Sequence, residues 1–214
     1  MRKLISGVIL LALFAACKSN HNKVLPTYGF DSVQTKTVNG QQETDTVYKA
    51  VPAFKFVNQY GDSVGSKKLD GKIYVADFFF TSCHSICPIM QRNMLTVYNA
   101  FKDTADVKII SFTIDPKHDT TAVLKKYADK LGVSGNSWWF LNGDRDKVYS
   151  LAAKNFLVAV NPDSTVAGGY VHQGYFVLVD KAKHVRGSYD GTDPKQVEQL
   201  IADIKVLKAE SASK

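Results

Sequence analysis

The chain has 214 residues, of which 45% are hydrophobic and 22% are charged, a composition typical of a globular protein rather than a disordered or fibrous one. The length suits one domain with extensions, and a core of that size needs no disulfide scaffold. The formal net charge is +7, yet the basic residues are scattered and form no arginine stripe with interleaved aromatics. Nucleic acid is therefore not an expected partner. The charge indicates a solvated surface, with an acidic protein or an anionic membrane surface as the alternative.

The start of the chain has the pattern of an export signal. A short basic region precedes an apolar run from Leu4 to Phe14, which is too short to span a membrane comfortably. Small residues then lead to Cys17, as at a bacterial lipoprotein processing site. We therefore expect removal of residues 1–16 and lipidation of Cys17, which would hold the protein in the bacterial cell envelope, facing the periplasm or the outside of the cytoplasmic membrane. An ordinary cleaved signal with a chance cysteine is the alternative.

A polar segment over residues 17–50 is predicted to form a flexible spacer, with room for an early strand near Val47. One domain is predicted over 51–209, followed by a tail at 210–214. Periodicity and turn signals predict strands at 54–57, 63–65, 73–80, 107–114, 138–141, 175–180 and 184–189, and helices at 89–101, 121–131, 144–153 and 193–208. This order mixes parallel crossovers with a terminal hairpin, and it predicts an α/β sandwich with a mixed central sheet and helices on both faces.

Two cysteines follow the apolar run at 73–80, which is interrupted by Asp77 and is typical of a central strand covered on both faces. Cys83 and Cys87 then lie at a strand-to-helix junction, beyond the carboxyl end of a strand, where sites form in such sheets. A nearby helix N-terminus favours thiolate, which is both a nucleophile and a soft-metal ligand. The pair therefore fits metal binding and disulfide exchange equally. A purely structural disulfide would remove little loop entropy across three intervening residues.

A third group is needed to choose between these chemistries, and His172 is the strongest candidate. It precedes the predicted strand at 175–180, and in a thioredoxin-like arrangement the loop entering this strand faces the two cysteines. Two thiolates and one imidazole suit Cu(I), which accepts soft ligands and low coordination. Zn(II) would normally require four ligands. A loop histidine bonded to backbone is the alternative for His172.

The remaining candidate ligands are weaker. His84, between the cysteines, is predicted to face solvent at the mouth of the site, with a role as an extra or transient ligand as the alternative. His118 and His184 are predicted to be surface residues. Met90 and Met94 fit the apolar stripe of a helix, although Met90 is near enough in sequence to be a weak thioether candidate.

Three segments resemble the Sco/SenC family of copper proteins. Phe80–Pro88 resembles the family's Cys-x-x-x-Cys-Pro signature, Phe112–Thr120 its Asp-Pro-x-x-Asp-Thr strand end, and Val171–Asp180 its ligand-histidine strand. The matches occur in the family's order, and the similarity covers roughly residues 50–207.

The resemblance implies a thioredoxin-like fold and a copper ion, Cu(I) with Cu(II) as the alternative, bound by Cys83, Cys87 and His172. It implies copper delivery to, or thiol reduction at, the binuclear copper centre of cytochrome c oxidase. The implied partner is the copper-bearing subunit of that oxidase or another copper chaperone. His84 and Ser85 stand where the family often has proline and an acidic residue, so negative charge is removed near the site.

Two functional hypotheses follow. The first is a membrane-tethered copper chaperone rather than an enzyme, in which Asp115 and Asp119 shape the neighbouring loop. The second is a thiol–disulfide oxidoreductase or a peroxidase-like protein, in which Cys83 attacks and Cys87 resolves. A copper sensor or electron-transfer protein is the remaining option. The roles can coexist, because an oxidised Cys83–Cys87 disulfide cannot bind Cu(I) and redox state would gate loading.

Overall fold

A computed structural model describes residues 24–163 and 170–212. The predicted signal peptide and the predicted lipid site at Cys17 lie outside these residues. The described ranges contain a seven-stranded sheet, two separate hairpins and four α-helices. None of the helices described is both long and apolar enough to cross a membrane.

The elements follow the predicted order, with additions at both the start and the middle of the chain. The strands are β1 (Phe30–Val38), β2 (Gln41–Tyr48), β3 (Lys55–Asn58), β4 (Ser63–Gly65), β5 (Ile73–Phe79), β6 (Val107–Thr113), β7 (Trp138–Asn142), β8 (Val160–Pro162), β9 (Tyr170–His172), β10 (Tyr175–Val179) and β11 (Val185–Asp190). The α-helices are α1 (Cys87–Phe101), α2 (Thr121–Lys130), α3 (Arg145–Leu151) and α4 (Pro194–Ala212), and α3 continues into a π-helical turn at Ala152–Phe156.

The central sheet is mixed, as predicted. Its strand order is β11-β10-β5-β6-β7-β3-β4, in which β5, β6 and β7 are parallel and all other neighbours are antiparallel. Every residue of β5 is buried, which explains the nearly continuous apolar run of its sequence. Because β5 and β6 are parallel, their carboxyl ends meet at one edge of the sheet, and a site can form in the loops beyond that edge.

One face of the sheet carries α1, α2 and α4. Asp77 and Phe79 lie two residues apart on β5, so both side chains point to this face. There Gln91 of α1 donates to the Asp77 carboxylate. Tyr127 of α2 packs on the Phe79 ring. Helix α4 packs beside α1. This face of the sheet therefore holds the helix that follows the cysteines.

The opposite face is built on a cluster of aromatic rings. Phe78 of β5 stacks on Phe112 of β6, and Phe156, from the turn that ends α3, packs against both rings. Phe54 and Phe56 meet the edge of Phe112 from the other side. Helices thus cover both faces, and the predicted thioredoxin-like α/β sandwich is confirmed.

The segment predicted as a flexible spacer contains regular structure, and the strand expected near Val47 is confirmed as β2. Within it, β1 and β2 form an antiparallel hairpin whose side chains are almost all exposed. Asn39 and Gly40 form its turn with φ of 51° and 79°. An Asn-Gly pair is a strong hairpin signal because both residues tolerate positive φ, so this pair is the local sequence feature that marks the turn.

Packing against the sheet also begins earlier than the predicted domain start. Arg186 of β11 is buried and donates to the carbonyl oxygens of Leu25 and Pro26 at 2.6 and 2.9 Å. The same guanidinium pairs with Asp180 and Glu210, each at 2.9 Å. This single side chain therefore ties the segment before β1 to the sheet and to the end of α4.

We expect Arg186→Ala to lower the free energy of unfolding by about 3 kcal/mol, because it removes the buried cation that pairs with Asp180 and Glu210. The matched control is Lys125→Ala, which removes the exposed pair of Lys125 with Asp129 and should cost less than about 1 kcal/mol. Urea denaturation of both variants measures the difference. Equal losses would contradict a structural role for the buried guanidinium.

Candidate metal centre

The dithiol loop, residues 81–88, is formed by the abrupt change from strand to helix. The backbone N–H of Cys83 donates to the carbonyl of Phe80 at 3.2 Å, which turns the chain directly after β5. Helix α1 begins at Cys87, earlier than the predicted start, with Pro88 in its first turn. Cys87 therefore lies at the positive end of the helix dipole, and Cys83 lies in the turn before it.

The start of this loop is clamped by Asp119, from the loop between β6 and α2. The backbone N–H of Thr81 donates to the buried carboxylate at 3.1 Å, and the hydroxyls of Thr81 and Thr113 donate to it as well. Asn142 holds the Asp119 carbonyl oxygen at 2.6 Å. Asp119 thus shapes the loop, as predicted for it, while Asp115 lies half-buried beside it.

His172 reaches the dithiol loop because β10 is antiparallel to β5, so the start of β10 lies beside the carboxyl end of β5. The residue ends the short strand β9, which pairs with β8 through Val160, where the sequence predicted irregular chain. Gly191 donates to the Gly174 carbonyl at 2.7 Å, and Asn93 of α1 donates to the Gly191 carbonyl at 2.8 Å. The histidine strand is therefore tied to the helix that carries Cys87.

Two thiols and one imidazole converge at this edge. The Sγ atoms of Cys83 and Cys87 and a ring nitrogen of His172 lie within 4.8 Å of one another. The distance from Cys87 Sγ to His172 Nε2 is 3.1 Å. Their side chains are 6%, 1% and 8% exposed, and both cysteines are free thiols. We call this group the thiol–imidazole cluster, and within the described ranges it is the one group found with donors suitably placed for a metal.

The two thiols of the cluster are not equivalent. A hydrogen bond from Cys87 lowers the pKa of Cys83 to about 3, and further hydrogen bonds from His172 and Ser85 act in the same direction against burial. The same bond to Cys83, together with burial, raises the pKa of Cys87 far above its ordinary value. The hydrogen bond between the two sulfurs therefore favours the thiolate at Cys83 and the thiol at Cys87.

The donor set and its surroundings fit a soft metal ion. His172 directs Nε2 at the Cys87 sulfur, while its buried Nδ1 has no hydrogen-bond partner among the described residues. The edge of the ring meets Phe80 at 5.9 Å between centroids, which restricts its orientation. Sulfur and imidazole nitrogen in a buried, low-coordinate site suit Cu(I), whereas a structural zinc site would require a fourth ligand.

None of the other described histidines belongs to the cluster. His84 is exposed within the dithiol loop, and His118 is exposed in the loop after β6. His184 precedes β11 at the opposite edge of the sheet, 4.0 Å from Asp180. Met90 is fully buried in α1, in agreement with a core role.

Asp77, which interrupts the apolar run of β5, lies in a buried polar network that the sequence does not predict. Its fully buried carboxylate accepts hydrogen bonds from Ser111 and, at 2.8 Å, from Gln91. Trp138 in turn donates to the Ser111 hydroxyl at 2.8 Å. Burial raises the pKa of Asp77 to about 6, although these hydrogen bonds and the charge of His172 favour the ionised form. In the sequence, the signal for this network is a single carboxyl-bearing residue within the apolar run of a central strand.

As pH rises from about 4 to about 6, we expect the free energy of unfolding of the protein to fall relative to that of the Asp77→Asn variant. The pKa of Asp77 is higher in the folded state than in the unfolded chain, so folding is favoured most below pH 4, where the group is protonated in both states. That contribution, about 3 kcal/mol for a shift of about two pKa units, is lost as pH rises through 6. Denaturant titrations of both proteins from pH 3.5 to 7.5 measure it. Parallel curves would contradict the raised pKa.

The fold and the cluster define a class: thioredoxin-like proteins with two thiols and an imidazole beyond the carboxyl edge of the sheet. The SCO1/SenC family model matches residues 42–209. The SCO1 protein homolog of Bacillus subtilis (strain 168) is 35% identical over 169 residues, which cover 78% of this chain and 86% of the relative. The chain therefore belongs to the SCO1/SenC family, as its sequence motifs predicted.

Solved structures agree with this assignment. A SCO1/SenC family lipoprotein from Bacillus anthracis str. Ames is similar with a TM-score of 0.68 and 32% identity, covering 74% of this chain and 95% of that one. BsSco is a member of the Sco family of cytochrome c oxidase assembly proteins, and a disulfide switch was identified in it. It is similar with a TM-score of 0.66 and 34% identity, covering 74% of this chain and 92% of that one.

Proposed function

We propose that the protein is a membrane-tethered copper chaperone, which binds one copper ion through Cys83, Cys87 and His172 and releases it to a partner. Copper is its cargo. The observation that carries this proposal is the convergence of three buried donors within 4.8 Å from segments 85 residues apart in sequence. Two free thiols and an imidazole in such an arrangement match the preferences of Cu(I).

The protonation of the two cysteines changes when the copper ion binds. Cys83 is already a thiolate, held by hydrogen bonds, and Cys87 must lose its proton when a cation binds. Binding of Cu(I) thus forms two sulfur bonds and one nitrogen bond and releases the Cys87 proton, without any change in oxidation state. Burial of all three side chains keeps water and weaker ligands away from the ion.

The proposed partner is the copper-bearing subunit of cytochrome c oxidase or another copper chaperone. BsSco, to which the chain is 34% identical, is described as a cytochrome c oxidase assembly protein, and this supports the proposal. The proposed location is the bacterial cell envelope, with the protein anchored by lipid on Cys17. The sequence around Cys17 and the lipoprotein relative from B. anthracis support that anchor.

The reduced protein is expected to bind about one equivalent of Cu(I), measured by competition with a chromophoric chelator. His172→Ala should weaken binding by at least on the order of 100-fold, the upper limit for groups that merely support a ligand. His118→Ala removes an exposed histidine at the same edge of the sheet and should leave the affinity unchanged. Binding far from one equivalent, or an unchanged affinity in His172→Ala, would exclude the proposed site.

A second candidate function, thiol–disulfide exchange, is favoured by the stabilised thiolate of Cys83. Cys83 would attack a substrate disulfide and release one substrate thiolate. Cys87 would then lose its proton and attack the mixed disulfide, releasing the second thiolate and leaving a Cys83–Cys87 disulfide. The substrate is reduced and the protein oxidised by two electrons. The oxidised pair cannot bind Cu(I), so this chemistry would also gate copper loading.

Brief treatment of the reduced protein with iodoacetamide at pH 6 should modify Cys83 well before Cys87, because the thiolate is the reactive form. Mass mapping of the two peptides measures the order. Retention of rapid disulfide turnover in His172→Ala would favour the exchange function over copper transfer. Modification of Cys87 first would reverse the assigned roles of the two thiols.

A further inference from the structure

Burial of the thiol–imidazole cluster creates a problem of access for its cargo. The most exposed of its three side chains is only 8% accessible, and Cys87 is 1% accessible. An ion handed over by another molecule must leave its old ligands before all three buried donors can hold it. A ligand at the surface of the protein would stabilise the ion during that exchange.

We propose that His84 is a surface relay ligand, which takes an arriving copper ion together with Cys83 and then passes it inward to Cys87 and His172. The inference deepens the proposed copper function and rests on it. His84 is exposed, and in the sequence it directly follows Cys83 and precedes Cys87.

The fold of the loop favours this role. Cys83 is the more exposed of the two thiols, at 6% against 1% for Cys87, so it is the sulfur nearer to an arriving ion. Its Sγ lies 3.5 Å from the hydroxyl of Ser85, so the outer sulfur and His84 belong to one short turn. Among the described residues, none holds the His84 ring in a hydrogen bond, an ion pair or a ring contact. The ring is therefore able to reorient between solvent and sulfur.

The other exposed side chains of the dithiol loop do not offer this chemistry. Ser85 and Pro88 are exposed but provide no soft or imidazole donor. Ile89, next in the chain and 44% exposed, adds an apolar surface beside the loop. Within the loop, His84 is thus the one exposed side chain that is a good copper ligand.

The relay consists of ligand exchanges only. One bond from Cu(I) to the donor breaks as the bond to the His84 nitrogen forms, and Cys83 replaces a second donor ligand. Cys87 then loses its proton to solvent and binds, His172 binds, and the bond to His84 breaks. The copper remains Cu(I) throughout, and no oxidant or reductant is required. Delivery to a partner follows the same steps in reverse.

Stopped-flow mixing of the reduced full chain with a Cu(I)–bicinchoninate complex measures both the loading rate and, at its endpoint, the equilibrium affinity. We expect His84→Ala to slow loading on the order of tenfold while the equilibrium affinity changes by less than about twofold. Free imidazole in solution should restore much of the rate for this variant. His118→Ala, which removes another exposed histidine, should load at the wild-type rate.

The outcomes separate the relay from the copper site itself. Loading of His84→Ala at the wild-type rate would overturn the relay while leaving the copper site intact. Equal losses of rate and affinity would also overturn it, because His84 would then be a resident ligand. Failure of the unaltered protein to bind Cu(I) would instead reject the proposed function. Thermal unfolding of His84→Ala checks that the exposed substitution leaves the fold unchanged.

Discussion

The contact between Cys87 Sγ and His172 Nε2 joins two parts of the chain that are 85 residues apart in sequence. It exists because β10 runs antiparallel to β5, so the end of one strand and the start of the other meet at one edge. The backbone bond from Gly191 to the Gly174 carbonyl, and the bond from the Asn93 side chain of α1 to the Gly191 carbonyl, fix the relative positions of the two segments. The cluster is therefore a property of sheet topology, and local loop sequence alone cannot create it.

Burial sets the chemistry of this edge. Water is excluded, so each ionisable group is governed by its nearest hydrogen bonds and charges. The thiols share one proton, Asp119 is held by two threonines, and Asp77 is held by Ser111 and Gln91. Four buried acids or thiols within one region raise the cost of any further negative charge, and a cation relieves that cost. Binding of a positively charged cargo is thus favoured by the surroundings as well as by the ligands.

Much of this architecture could be predicted from the sequence. The apolar run of β5, the helix after the cysteines and a thioredoxin-like arrangement of the strands predict that His172 lies at the dithiol loop, while the antiparallel pairing of β10 with β5 is seen only in the structure. Of the β1–β2 hairpin the sequence predicts only the strand near Val47, because the residues are polar and almost all exposed, so hydrophobic periodicity gives no signal for β1. Strands β8 and β9 are three residues each, too short for a pattern to develop. The hydrogen bonds of Asp77 depend on partners from two other elements, Ser111 of β6 and Gln91 of α1, which no local sequence pattern specifies.

The bonds of Arg186 to the carbonyls of Leu25 and Pro26 have a consequence for distance from the membrane. The hairpin after them returns the chain to its starting point, since Lys49 donates to the Gly29 carbonyl at 2.6 Å. It therefore adds no length to a tether. With lipid on Cys17, only the eight-residue step to Leu25 separates the anchor from the domain, a reach of at most about 29 Å. The domain would work within roughly its own diameter of the bilayer, and any partner must present its ligands there.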